Sequence, residues 1–207
     1  MIRSLLVNRK NREKVAIIEN DKEVRYIDLI NKALALQKIL GERKQENIAI
    51  LLPNSGDYIA AFWATIGAGM TAFPLNVLMT RHELVPLLRH TGVRIVITRT
   101  AYRRLFEEMA AVETLSLKII YMEEFGETPG RNEFEISDSD PCEPMVLLHT
   151  SGTTGKCKIV QLSERNVEAS VLGYLDKLRL EEMDVTNARF ILAAPFSSVY
   201  GVPLDGV

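Results

Sequence analysis

The stretch Thr150-Ser151-Gly152-Thr153-Thr154-Gly155-Lys156-Cys157-Lys158 concentrates hydroxyl, glycine and lysine residues between two apolar runs. Gly152 and Gly155 let the backbone take unusual angles and approach an anion closely. Successive N–H groups in such a turn form an anion-binding nest. Thr150, Ser151, Thr153 and Thr154 add hydroxyl donors. Lys156 and Lys158 add positive charge, and lysine serves phosphate as a point charge. Together these groups suit a polyphosphate. A P-loop is excluded, because Gly152 and Gly155 are too close, Cys157 stands at the hydroxyl position, and a strand rather than a helix follows. A ligand-free hairpin turn is the plainer alternative, but the order and spacing of these residues are too particular for it.

Other chemistry is sparse. Neither Cys142 nor Cys157 has a second Cys or a His at metal-ligand spacing, and two cysteines make no disulfide framework. His82, His90 and His149 read as structural or surface residues. No metal ligand and no catalytic residue is assigned. The net charge of −2 gives no reason to expect a nucleic-acid or anionic-membrane partner. Residues 1–14 are too charged for a signal peptide, and the most apolar stretch, 58–73, is shorter than a membrane span. A cytoplasmic location is the expectation.

The elements that must position the loop follow from periodicity. Short β-branched runs predict strands at 15–18, 47–52, 94–98, 117–122, 145–149, 158–162 and 190–193. Helical spacing predicts helices at 28–40, 57–67, 81–90, 102–112 and 164–178. Thr80 and Glu83 form a capping box ahead of Leu84. Ser163 is a good N-cap. Asn20-Asp21 suggests a turn between antiparallel strands. Pro86, inside a helical stretch, predicts a kink. Runs such as 48–52 and 95–97 lack polar alternation, as in a parallel sheet covered on both faces. The reading is α/β, doubly wound, with helices on both faces. Residues 123–144 form the only long linker, which either divides the chain into two subdomains or makes a surface excursion. A chain of 207 residues buries roughly 70% of its unfolded surface, enough for a real core.

The loop at 150–158 resembles the core motif of the adenylate-forming (AMP-dependent synthetase/ligase) superfamily. That superfamily includes acyl-CoA synthetases, firefly luciferase and the adenylation domains of nonribosomal peptide synthetases. Further segments resemble it in order. These are 24–29, 60–75 with Gly67-Ala68-Gly69 and Pro74-Leu75-Asn76 as a helix and following strand, Ser163 to Val167, and Ala194-Pro195-Phe196 to Tyr200-Gly201. The last is similar to the acyl-pocket motif and marks Ser198, Tyr200 and Gly201 as substrate-pocket residues. The resemblance implies that ATP and a small-molecule carboxylic acid bind together. The carboxylate attacks the α-phosphorus, giving an acyl-adenylate and pyrophosphate, and the thiol of coenzyme A or of a carrier-protein pantetheine takes the acyl group. It implies ATP with Mg2+ as cofactor. The contacts to phosphate are Thr150, Ser151, Gly152, Thr153, Thr154, Gly155 and Lys158, with Lys156 at the tip.

The sequence departs from the family pattern at several positions. Cys157 stands where proline is usual, Ile159 where glycine is usual, Ser198 where histidine is frequent, and His149 where an aromatic is common. A β-branched Ile159 puts the exit geometry of the loop in doubt. Family members are typically more than twice this length. The later nucleotide motifs, the acidic magnesium residue and the C-terminal domain with its catalytic lysine have no counterpart here. Residues 1–207 are thus expected to be a partial N-terminal domain, inactive alone, whose parent enzyme performs the activation. The alternative is a stand-alone protein with a non-catalytic binding, interaction or regulatory role. Apolar surfaces such as the helix at 57–67, normally sealed by the rest of the enzyme, predict a homodimer.

Overall fold

A computed structural model of the chain describes residues 12–41, 46–112, 115–124, 140–150, 158–178, 189, 191 and 194–198. The first strands, β1 (Val15–Glu19) and β2 (Lys22–Arg25), form an antiparallel hairpin. Asn20 and Asp21 both have positive φ, 49° and 61°, the turn geometry whose twist matches that of paired strands. Helix α1 (Tyr26–Leu40) follows directly. The Asp28 carboxylate accepts the Arg25 N–H at 3.0 Å and closes its first turn. That bond is the leading cause that holds the Asp28 carboxyl below its usual range.

The main sheet is built from β3 (Asn47–Leu51), β4 (Thr71–Pro74), β5 (Ile95–Thr98), β6 (Lys118–Tyr121), β7 (Pro144–Thr150) and β8 (Lys158–Ser163). Its spatial order is β6-β5-β3-β4-β7-β8. Strands β3 to β7 run parallel and β8 is antiparallel. Between them lie α2 (Gly56–Gly67), α3 (Arg81–Thr91), a 3-10 turn (Thr100–Tyr102) and α4 (Arg103–Val112), and α5 (Glu164–Leu178) follows β8.

Alternation along β3 shows why its sequence is apolar from Ile48 to Leu51. Ile48 and Ile50 join a core with Leu36 of α1 and Ala60 and Phe62 of α2. Ala49 and Leu51 join a second core with Leu84 and Leu88 of α3 and Phe106 and Met109 of α4. Each strand residue thus meets a helix whichever way it points, the condition for a parallel sheet. The expected doubly covered α/β architecture is what the chain forms.

The expected helices, and the expected strands from 15–18 to 158–162, appear at the expected places, with ends shifted by a residue or two. Thr80 donates its N–H and its hydroxyl to Glu83 Oε2, both at 2.8 Å. Ser163 accepts the Asn166 N–H at 3.3 Å, and its own N–H donates to Asn166 Oδ1 at 3.1 Å. Helix α3 runs through Pro86, which lies on its exposed side as does His82 one turn earlier.

Strand β4 escapes periodicity. Its residues are all buried and follow α2 inside one continuous apolar run. Only the family resemblance pointed to a strand there. Of the strand expected at 190–193, Ile191 has no regular structure and the rest lies outside the described residues, as does 125–139 of the linker. One expectation is corrected. Helix α2 does not present its apolar side to solvent. Tyr58, Ile59, Phe62 and Ile66 are buried, because α1 and the sheet already cover them.

Candidate active site at the carboxyl edge of the sheet

Strands β3 to β7 are parallel, so their C-terminal ends share one edge. Chain leaving β3 enters α2 on one face of the sheet, and chain leaving β4 enters α3 on the other. Strand β3 connects outward to β4 and β5 connects the opposite way to β6, so the winding reverses between the ends of β3 and β5, and open α/β sheets bind ligands outside the carboxyl ends at such a point. Asn54 and Ser55 lie beyond β3, and Asn76 beyond β4. Strand β7 is the next neighbour of β4, so it delivers Thr150 to the same edge.

Thr150 and Lys158 face each other as the last pair of the β7–β8 ladder. Directly opposed residues put their side chains on one face of a sheet, with Cβ atoms about 5 Å apart. A hydroxyl and an ammonium thus stand side by side where the loop begins and ends. Both fit a phosphate, the hydroxyl as a donor and the lysine as a charge. Ser151, Gly152, Thr153, Thr154, Gly155, Lys156 and Cys157 lie outside the described residues. Ile159 is accommodated without strain. It sits in an extended strand opposite His149 and packs against the second core, where a β-branched side chain fits well. Among the described residues no group of three His, Cys, Asp or Glu could hold a metal ion.

His149 lies next to the loop. Its ring meets Phe73 edge-on at 6.5 Å. Burial holds its pKa below the ordinary histidine value, and the Glu83 charge opposes this more weakly. Its Nδ1 is buried and has no hydrogen-bond partner among the described residues.

The segment similar to an acyl pocket is fixed from far upstream. Asn54 donates its amide to the Ala194 carbonyl at 2.8 Å and accepts the Phe196 N–H on Oδ1 at 2.9 Å. The Tyr58 hydroxyl donates to the Phe196 carbonyl at 3.2 Å, and the two rings stack at 4.8 Å. The Ser198 N–H donates to the Pro195 carbonyl at 2.9 Å, which folds the segment into a turn. Ser198 is thereby brought to the β3 end of the edge, whereas Tyr200 and Gly201 lie outside the described residues. Burial pushes the Tyr58 phenol up, so its hydroxyl remains a donor across the working pH range. Sequence reasoning overlooked Asn54 and Tyr58. The available signal was a lone Asn just after the apolar run 48–52, at a position that no turn or cap accounted for.

An ion-pair network sits behind this corner. Asp57, in the first turn of α2, accepts from Lys32 at 2.6 Å and Arg99 at 3.1 Å. Glu19 accepts the Gly56 N–H at 3.0 Å, placing negative charge at the positive end of α2. The network ties the β1–β2 hairpin, α1 and the end of β5 to the start of α2.

The fold is thus an α/β sheet whose β7–β8 pair brings a hydroxyl and a lysine together at its carboxyl edge. The model of the AMP-binding enzyme family matches residues 7–205, and the chain belongs to that family. Oxalate–CoA ligase of Arabidopsis thaliana is 28% identical over 192 residues, covering 86% of this chain and 36% of that protein. ATP-bound MatB from Rhodopseudomonas palustris superimposes with a TM-score of 0.82 at 23% identity, over 99% of this chain and 42% of that one. O-succinylbenzoate coenzyme A synthetase (MenE) from Bacillus subtilis, in complex with ATP and magnesium ion, gives 0.73 at 24%, over 98% and 52%. The chain thus spans between about a third and a half of these relatives. The two structures establish the shared fold, that of the N-terminal part of adenylate-forming enzymes. Among the described residues no helix is long and apolar enough to cross a membrane.

Proposed function

We propose that this chain supplies the phosphate-binding hairpin and one wall of the acid pocket for ATP-dependent activation of a small carboxylic acid. The acid becomes an acyl-adenylate, which coenzyme A or a carrier-protein pantetheine then takes up as a thioester. The observation that carries this reading is the Thr150–Lys158 pair at the mouth of the loop, on the carboxyl edge of the parallel sheet. Thr150, Ser151, Gly152, Thr153, Thr154, Gly155, Lys156 and Lys158 would hold the β- and γ-phosphates and steady the leaving pyrophosphate. Ser198, with Tyr200 and Gly201, would line the acid's side. When bound, ATP with Mg2+ supplies the activated phosphorus, and the residues here bind and orient it. The family match and the ATP complexes of MatB and MenE support the nucleotide. Oxalate and O-succinylbenzoate, named for two relatives, are the first acids to try.

An ATP titration of the chain by calorimetry, with and without Mg2+, tests the reading. Saturable binding that weakens about tenfold in Lys158→Ala is expected from the loss of one charge-assisted contact. Binding indifferent to Lys158 would refute the assignment. A homodimer would now need a surface other than α2, such as exposed Val160 and Leu172, and a monomer mass by light scattering would refute it.

A further inference from the structure

Residues 194–198 have little regular structure of their own, yet two side chains from the β3–α2 corner fix their backbone at successive points. Asn54 takes both the Ala194 carbonyl and the Phe196 N–H, a two-point grip that reads the backbone and leaves side chains free to vary. Tyr58 takes the Phe196 carbonyl and stacks on its ring. Phe196 is 3% exposed and Tyr58 4%, so water cannot cheaply replace the bond between them, whereas Asn54 grips the segment from an exposed position. Asn54 itself lies just beyond the end of β3, beside the crevice between β3 and β5. Thr150 follows Leu148 by two residues along β7, and Leu148 packs in the same core as Tyr58 and Phe196. By alternation Thr150 is therefore on the sheet face where this segment is pinned. Strands β3 and β7 are separated only by β4, so roughly 10 Å divides the two corners.

We infer that Asn54 and Tyr58 are positioning residues for the carboxylic acid. They set the 194–198 turn against the β3 end of the crevice, and so fix Ser198 relative to the phosphate hairpin. This rests on the acid-activating reading. Neither residue touches substrate. Both act through the backbone of residues 194 to 196, and a small displacement of that backbone alters acid alignment while the hairpin stays in place.

The test uses Asn54→Ala, Asn54→Asp and Tyr58→Phe in the full chain, with two readouts. The first is hydrogen exchange. The Phe196 amide should exchange at least tenfold faster in Asn54→Ala. It should remain slow in Asn54→Asp, which keeps the acceptor oxygen, while Ile50 and Ile97 in the sheet keep their protection. The second is ligand affinity, with ATP–Mg2+ and with each of the two probe acids in the presence of a non-hydrolysable ATP analogue. Acid affinity should fall at least fivefold in Asn54→Ala and Tyr58→Phe, and ATP affinity should change less than twofold. Tyr58→Phe keeps the stacked ring and gives the answer if Asn54→Ala fails to fold. Unchanged Phe196 exchange in Asn54→Ala, or an equal fall in acid and ATP affinity, would overturn the inference. If the unaltered chain binds ATP but neither acid, the assignment of 194–198 to the acid fails while the phosphate site stands. If it binds neither, the functional reading itself fails.

Discussion

Tyr58 and Phe196 are 138 residues apart in sequence, yet their rings stack at 4.8 Å and the Tyr58 hydroxyl donates to the Phe196 carbonyl at 3.2 Å. The contact combines apolar burial with one buried hydrogen bond, and the two parts are separable. Tyr58→Phe removes the hydroxyl alone and is expected to cost about 1 kcal/mol. Tyr58→Ala also removes the ring and leaves a cavity between α2 and the segment, costing roughly 3–5 kcal/mol. Urea denaturation measures both. Equal losses would mean that the ring contributes nothing and that residues 194–198 are not held by packing.

Much of this arrangement was legible in the sequence, for reasons that particular residues make clear. Ile48 to Leu51 lacks polar alternation because helices cover both faces of β3, and the same pattern reveals the layered fold. Thr80 with Glu83 and Ser163 with Asn166 mark helix starts through local bonds, which sequence spacing encodes directly. Strand β4 was illegible to periodicity because a buried strand after a buried helix gives one unbroken apolar run. The role of Asn54 was illegible for a different reason. Its partners lie 140 and 142 positions away, so a lone Asn after an apolar run could flag the position but not say which backbone it grips.

Asp57 accepts from both Lys32 and Arg99, and its side chain is only 15% exposed. The Arg104–Glu108 pair offers a contrast, since those side chains are 90% and 53% exposed. Partial burial reduces solvent screening, so the two sites should differ. Double-mutant cycles are expected to give about 0.3–0.5 kcal/mol for Arg104–Glu108, vanishing in 1 M salt. For Asp57–Lys32 they should give roughly 1–2 kcal/mol, largely retained in salt. Identical coupling at both sites would show that the corner is as wet as the open surface.

Asn20 and Asp21 both occupy the left-handed region, which costs an L-residue energy that glycine avoids. The second central position of such a turn is where glycine is preferred. Asp21→Gly should therefore stabilise the protein by roughly 0.5–1 kcal/mol. Asp21→Val should destabilise it by more than that, since a β-branched side chain tolerates positive φ poorly. Thermal melts at fixed pH measure the pair, and a loss of stability in Asp21→Gly would contradict the turn geometry.

His149 couples the stability of the loop's supporting strand to pH. Burial against Phe73 disfavours the imidazolium, so its folded pKa lies below its unfolded value. The unfolded chain then binds the proton first. Its contribution is fully present above the unfolded value of about 6.5 and is lost as pH falls toward the folded pKa. Asp28 and Glu83 also have folded values below the usual carboxylate range, the latter chiefly through the Thr80 N–H. Their contributions fade only below about pH 4. The interval from about pH 6.5 to 5 is thus where His149 acts apart from these two carboxyls. Unfolding free energy measured by urea at steps through that interval should decline as pH falls. In His149→Phe, which keeps the edge contact to Phe73 without a titrating group, the decline should flatten. A slope unchanged by His149→Phe would assign the effect to other groups and remove His149 from the account.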